Sequence, residues 1–359
     1  MATNRRLYEL NEDVLRRILE QVAAIKDTTY AFSITLKRLS TTCKRIRSSC
    51  MPILFRNCRV IVNQGIPPVA IRPYVRYITY IWAFYTIDQL YDCDYFKAKP
   101  VATFAFQDTS VPRPTFGIEL DYLPSVRSVT FSYSSVASPG PLSMKCMAHP
   151  TITSISINED AMWLCAPPPV PSDLASHSRP ITKFRYTTSH WREIEALARG
   201  TSLRATYDQE LSYLRALVLP MSDSAESLTL PVETAPLLEM AAMDWPRLHT
   251  LSLIGRYTHS DQCLAISPLL MRSPNLRSLS VQVVQRQGMP RPLLLRAPPD
   301  AKYHLRSLIL SYPNPDDPIF SWIGDGLTSL SLRDSPKHYH ESRYKTPSLT
   351  AVFPIPHRV

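Results

Sequence analysis

Leu248-His249-Thr250-Leu251-Ser252-Leu253, Leu276-Arg277-Ser278-Leu279-Ser280-Val281 and Leu305-Arg306-Ser307-Leu308-Ile309-Leu310 are copies of one phrase, apolar-x-x-apolar-x-apolar. Leu214-x-x-Leu217-x-Leu219 and Leu327-x-x-Leu330-x-Leu332 read the same way. Weaker copies stand at Val75/Ile78/Tyr80, Val126/Val129/Phe131, Ile152/Ile155/Ile157 and Ile181/Phe184/Tyr186, and a fragment, Leu349/Val352, closes the series. From Val126 onward the first residues recur at intervals of 26, 29, 33, 34, 28, 29, 22 and 22. Self-similarity at a period of roughly 20 to 50 residues is the signature of a solenoid. Function is then sought on a long binding surface rather than in a cleft.

Within each phrase the last two apolar residues alternate across one polar residue, which is strand periodicity. Leu279 and Val281 are expected to face inward, with Ser278, Ser280 and Gln282 outward. One such strand cannot cover its apolar face, whereas stacked copies form a parallel sheet over a continuous core. Each buried Leu or Ile contributes roughly 1.5–3 kcal/mol, most of which offsets the entropy lost on ordering the chain. Return segments lie between the phrases. Short helices are expected around Trp191, Ile194, Leu197 and Ala198, around Leu237, Leu238 and Ala241, and from Ser260 through Leu270, with Pro268 bending or splitting the last. Strands would then line a concave face, with helices and loops outside.

The 359 residues include 33 Pro and only 8 Gly, a balance that favours many short elements over long helices and speaks against a Gly-dependent nucleotide fold. Lys and Arg exceed Asp and Glu by ten, so acidic partners fit, although such a charge also serves plain solubility. Seven Cys, an odd number without a C-x-x-C pair, point to a reducing compartment rather than a disulfide framework. No apolar stretch approaches the eighteen or so residues of a membrane span. Met1 to Arg6 lead into a charged helix rather than an apolar signal region. An intracellular location, cytoplasmic or nuclear, is expected.

Residues 7 to 57 do not carry the phrase. Leu10, Val14, Leu15, Ile18, Leu19 and Val22 fall on one helical stripe, with Asn11 or Asp13 as its cap. A second amphipathic stretch sets Leu36, Leu39, Cys43 and Ile46 against a basic face of Lys37, Arg38, Lys44, Arg45 and Arg47. So small a region needs a partner or neighbouring repeats to cover its apolar faces.

Leu10-Asn11-x-Asp13-Val14-Leu15-x-x-Ile18-Leu19, then Leu39-Ser40-x-x-Cys43-Lys44-Arg45-Ile46-Arg47, resembles an F-box, and Pro52-Ile53-Leu54-Phe55-Arg56 resembles the segment that follows F-boxes in many fungal proteins. The repeats behind it resemble the leucine-rich repeats that often accompany that domain. Where the family usually opens on Leu-Pro, this chain has Leu10-Asn11. The resemblance implies an α/β chain of two parts: an all-helical F-box-like domain over residues 1–58 and an irregular leucine-rich-repeat solenoid over 59–359. It also implies a non-enzymatic substrate receptor of a cullin–RING ubiquitin ligase, docked on a Skp-type adaptor through Leu10, Val14, Ile18, Leu19, Leu39, Cys43 and Ile46, some of which must pack the domain's own core. The repeats would hold a target protein whose identity a single sequence does not give. The competing reading is a leucine-rich scaffold whose N-terminal helices cap the solenoid.

Leucine-rich repeats usually carry Asn or Cys three residues after the last apolar position. Here those sites are Ser134, Asp160, Ser189, Ser222, Arg256, Val284, Pro313 and Ser335, so uneven spacing is expected. Arg76, Arg127, Arg215, Arg277 and Arg306 follow the first apolar position of their phrases and would form a basic rail along one sheet edge. Such a rail could dock an acidic or phosphorylated segment; a solubilising edge is the plainer reading. The outward Ser residues leave room for a partner or simply tolerate curvature. Nucleic-acid binding rests on charge alone, without interleaved aromatic and basic residues.

No motif calls for a cofactor, a metal or catalysis. His338-x-His340 lacks further ligands at suitable spacing. Asp92/Asp94 and Asp316/Asp317 sit in turn-like contexts, where Asp is common. Gly324-Asp325-Gly326 lacks the third glycine of a dinucleotide loop.

Overall fold

The computed structural model describes residues 7, 10–24, 34–61, 67–81, 120, 122–132, 145–159, 181–188, 203–256, 260–284, 294, 305–323 and 326–333. The helix expected around Trp191, the carboxylate pair Asp92/Asp94, the His338/His340 pair and the fragment Leu349/Val352 lie outside the described residues. Ten strands are hydrogen-bonded to one another in sequence order in one open sheet, and every pairing whose register is resolved is parallel. The fold is mixed α/β and solenoid-like. Two compact units divide the chain, one of residues 1–81 with 114–130 and the other of 82–113 with 131–359.

The first unit opens with three helices, α1 (Glu12–Ala24), α2 (Ile34–Leu39) and α3 (Lys44–Leu54). Asn11 is the cap of α1: its Oδ1 accepts the Asp13 N–H at 2.9 Å and its carbonyl accepts the Leu15 N–H at 2.9 Å. Glu12 and Asp13 then place two carboxylates in the first turn, where the helix dipole favours them. Behind α2, the hydroxyls of Ser40, Thr41 and Thr42 donate to the carbonyls of Lys37, Arg38 and Leu39 at 2.6, 2.7 and 2.7 Å, satisfying groups the helix end leaves open. Cys43 caps α3 through its sulfur, and the Arg45 guanidinium donates to the Leu10 carbonyl at 2.6 Å, tying α3 to the start of α1. Leu15, Leu19, Leu36, Ile46 and Cys50 form the buried centre of the module. Pro52 lies inside α3, so the segment after the basic stretch begins as helix and not as loop.

That helix leads almost directly into β1 (Asn57–Ile61), which pairs with β2 (Tyr77–Ile81) from Asn57↔Tyr77 to Ile61↔Ile81. Phe55, Cys58 and Val60 are therefore a first copy of the phrase, which the expected boundary between residues 58 and 59 divides. The third strand, β3 (Ser128–Ser132), carries Val129 and Phe131, both fully buried, as its periodicity requires.

In the second unit β4 (Ser154–Glu159) and β5 (Lys183–Thr188) pair over their whole length. β6 (Ser227–Pro231), β7 (Thr250–Arg256), β8 (Ser278–Val284), β9 (Ser307–Ser311) and β10 (Ser329–Arg333) follow in register, so that Leu228, Leu251, Leu279, Leu308 and Leu330 stand side by side. The first four of these are fully buried. One expected copy is not a strand. Leu214, Leu217 and Leu219 belong to α4 (Leu203–Val218) and the 3-10 turn Leu219–Met221 that follows it. The buried residues there, Glu210, Tyr213, Leu214, Leu217 and Val218, recur at i, i+3, i+4, i+7 and i+8, a helical stripe. The true rung lies further on, at Ala225-x-x-Leu228-x-Leu230, and an Ala in its first position hides it. α5 (Leu237–Ala241) and α6 (Ser260–Met271) occupy return segments where helices were expected, and Pro268 lies within α6 without ending it.

Ahead of the regular ladder, one carbonyl aligns a rung with the next. The carbonyl of the phrase's second residue accepts two consecutive N–H groups of the following rung. Thr182 takes those of Glu226 and Ser227 at 2.7 and 3.0 Å, Glu226 those of His249 and Thr250, His249 those of Arg277 and Ser278, and Arg277 those of Arg306 and Ser307. Arg56 and Arg76 do the same in the first unit.

Individual side chains anchor the backbone beyond the strands. The Ser311 hydroxyl accepts the Val283 N–H at 2.9 Å and donates back to the Val283 carbonyl. Asp317, buried, accepts the N–H of Leu294 at 2.8 Å and of Ile319 at 3.0 Å, so the Asp316/Asp317 pair is turn chemistry. Gly255 in β7 has φ of +107°, and a Cβ there would overlap the Glu233 carboxylate. Gly255→Ala should destabilise the protein by more than about 1 kcal/mol, read in urea unfolding, since both the backbone and the carboxylate must move. Asp317→Ala, which orphans two buried N–H groups, should cost about 2–4 kcal/mol in the same measurement.

Candidate partner-binding surfaces

The seven residues expected to meet an adaptor separate into three groups. Leu19 and Ile46, 0% and 4% exposed, belong to the module's own core. Leu10, Leu39 and Cys43 are half-buried against that core. Val14 is 47% exposed, and Ile18, one turn further along α1, is half-buried without being packed on the core cluster. Residues four apart on a helix are neighbours, so Val14 and Ile18 make a small apolar face of α1 available to a partner. Spacing alone could not make this division: Val14 and Leu15 are consecutive and equally apolar, and only the packing of α1 on α3 decides which is covered.

The expected basic rail is shorter than its five residues. Arg215 is on α4, where it pairs with Glu239 of α5, and plays no part in the sheet. Glu226 occupies the corresponding position of that rung, with His249 on the next. Within the second unit only Arg277 and Arg306 stand on adjacent rungs, both exposed. Within the first, Arg76 follows Arg56, and Arg127 follows Arg76. Two of these are already engaged there: Arg56 lies over the Tyr77 ring at 5.3 Å, and Arg76 donates to the Ser125 carbonyl at 3.1 Å.

A different surface gathers charge. On the polar face of the second unit's sheet, the side-by-side positions read Ser154, Lys183, Ser227, Thr250, Ser278, Ser307 and Ser329 in one row. The row beside it reads Ser156, Arg185, Thr229, Ser252, Ser280, Ile309 and Ser331. Lys183 and Arg185 are exposed, and each stands between hydroxyl side chains on both neighbouring strands. At the other end of the sheet, Arg333 donates to Gln282 Oε1 at 2.9 Å and to Ser331 Oγ at 3.2 Å. The pair on β5 escaped the sequence reading, although Ile181-x-Lys183-Phe184-Arg185-Tyr186 showed its alternation.

Four free thiols are described, Cys43, Cys50, Cys58 and Cys146. Burial pushes the thiols of Cys50, Cys58 and Cys146 above the ordinary range, strongly so for Cys146, which disfavours the reactive thiolate. Among the described residues no group of three or more His, Cys, Asp or Glu is placed to hold a metal ion, and no helix is long and apolar enough to cross a membrane. No protein-family model matches the chain, and no curated protein is significantly similar to it.

Arg277→Ala and Arg306→Ala should each leave the unfolding midpoint within the change expected for about 0.5 kcal/mol, because both side chains are solvated. Leu308→Ala, on the buried side of the same sheet, should cost about 2–5 kcal/mol. Thermal melts of the three variants check the contrast.

Proposed function

We propose that this chain is a non-catalytic substrate receptor of a cullin–RING ubiquitin ligase. Residues 1–58 act as an F-box on a Skp-type adaptor, and the leucine-rich solenoid of 59–359 holds a target protein. The observation that carries the reading is the three-helix module with Val14 and Ile18 left outside its core, set directly ahead of a stacked parallel sheet with a polar face. A module that completes its own core without Val14 can spend that side chain on a partner. The receptor works by proximity: holding target and ubiquitin-loaded enzyme on one assembly raises their effective concentration, and no residue of the chain needs to do chemistry. Buried, protonated thiols suit the reducing cytoplasm or nucleus where such ligases act.

A second reading has its own support. α3 runs almost straight into β1, and the helices share one compact unit with β1 and β2, as a solenoid cap would. Capture of a purified Skp-type adaptor separates the two. The wild-type chain is expected to retain the adaptor, and Val14→Asp to weaken capture at least tenfold while leaving the thermal midpoint nearly unchanged, since that residue is exposed. Failure of the wild type to retain adaptor, or equal capture by the wild type and by Val14→Asp/Ile18→Asp, leaves the capping role in its place.

A further inference from the structure

Lys183 and Arg185 are the one place in the described part of the second unit where two cations share the polar face of a strand. They lie two residues apart on β5, so their attachment points are roughly 6.6–6.8 Å from one another. Neither side chain makes a hydrogen bond or ion pair with the described residues. Their lateral neighbours are Ser154 and Ser227 for Lys183, and Ser156 and Thr229 for Arg185. No carboxylate stands among the described side chains of those two rows. The like charges are therefore left uncompensated, with short side chains on either side that leave the sheet open to approach from above.

We propose that this face receives an extended acidic segment of a partner protein, with carboxylates at alternate positions. An extended chain repeats its side-chain direction every second residue, the same spacing that separates Lys183 from Arg185. Two successive outward carboxylates can thus meet the two cations at once, each in line with its own partner. Flanking Ser and Thr hydroxyls supply hydrogen-bond donors to the same carboxylates and to the segment's backbone carbonyls. The short side chains let that backbone come close. The Arg185 guanidinium adds a planar fork that matches one carboxylate bidentately. The net charge of +10 helps bring such a segment in, but it does not by itself choose this face.

The proposal rests on one half of the receptor reading, that the sheet holds a protein, and is independent of what α1 binds. Fluorescence anisotropy of the full-length chain tests it, with a labelled twelve-residue peptide of alternating Glu and Ser. The expected result is saturable binding that Lys183→Ser/Arg185→Ser weakens at least tenfold. Lys37→Ser/Arg38→Ser, which removes the same charge from exposed positions of α2, should change it less than threefold. A peptide of identical composition in the order Glu-Glu-Ser-Ser, in which no two Glu stand two residues apart, should bind at least fivefold more weakly. Val14→Asp should bind the alternating peptide normally, so loss of adaptor capture and loss of peptide binding are separate results. The assignment is overturned if wild type does not bind the alternating peptide, or if both double variants lose affinity equally. It is also overturned if the Glu-Glu-Ser-Ser peptide binds as well, or if a phosphoserine peptide without Glu binds more than tenfold tighter. Both double variants replace exposed residues, and circular dichroism verifies that they remain folded.

Discussion

The sheet depends on one backbone carbonyl per rung. In an ordinary parallel pair each carbonyl accepts one N–H of its neighbour; at the start of eight rungs here, one carbonyl accepts two consecutive N–H groups at 2.7 to 3.1 Å. Because both donors precede or open the strand, the contact sets where each strand begins. It also requires the residue at the phrase's second position to keep its carbonyl aimed at the next rung. It makes no demand on the side chain. That is why Thr182, Glu226, His249, Arg277 and Arg306 can succeed one another there. The Arg residues along this edge are permitted by the ladder and are not required by it, so a basic edge is a choice made rung by rung.

The same constraint explains how much of the fold was legible. The first and fourth residues of a phrase face the core, and eight of the ten strands announce themselves because both are large and apolar. Ala225 is small enough to be passed over, yet it is fully buried and holds the first position of β6. Leu214, Leu217 and Leu219 satisfy the phrase and still form helix, because Glu210, Tyr213 and Val218 extend the helical stripe to which Leu214 and Leu217 belong. A six-residue window cannot separate the two periods; a window reaching back to Glu210 does. Phe55, Cys58 and Val60 were legible as a phrase, but a domain boundary after residue 58 cut it, leaving Phe55 and Cys58 with the helical module and Val60 with the repeats.

The functional surfaces were harder to read for a different reason. Whether Val14 or Leu15 is covered depends on α3, which lies about thirty residues away in the chain and whose angle no local pattern encodes. For Lys183 and Arg185 the deciding facts are their lateral neighbours. Ser154 and Ser156 come from the preceding rung, Ser227 and Thr229 from the rung the sequence had hidden. With β6 misplaced onto Leu214, the cations would face Ala216 and Val218, and their isolation among hydroxyls would not be seen.

Core and surface are therefore set by separate parts of the same phrase. Its apolar positions need only be large enough to exclude water, and Leu, Ile, Val, Phe and Tyr all serve there. The outward positions carry no packing requirement, so their near-uniform Ser and Thr content across β6 to β10 is not something the core imposes. A solvated parallel face would be equally stable with scattered Lys and Glu, which is how many exposed strands keep themselves soluble. This chain instead keeps the face short-chained and places two cations on one strand of it. An open polar floor with its one pair of neighbouring cations on a single strand is poorly suited to gripping a bulky folded domain by shape. It suits an extended segment that brings its own side chains, because the sheet's repeat then matches that of its guest.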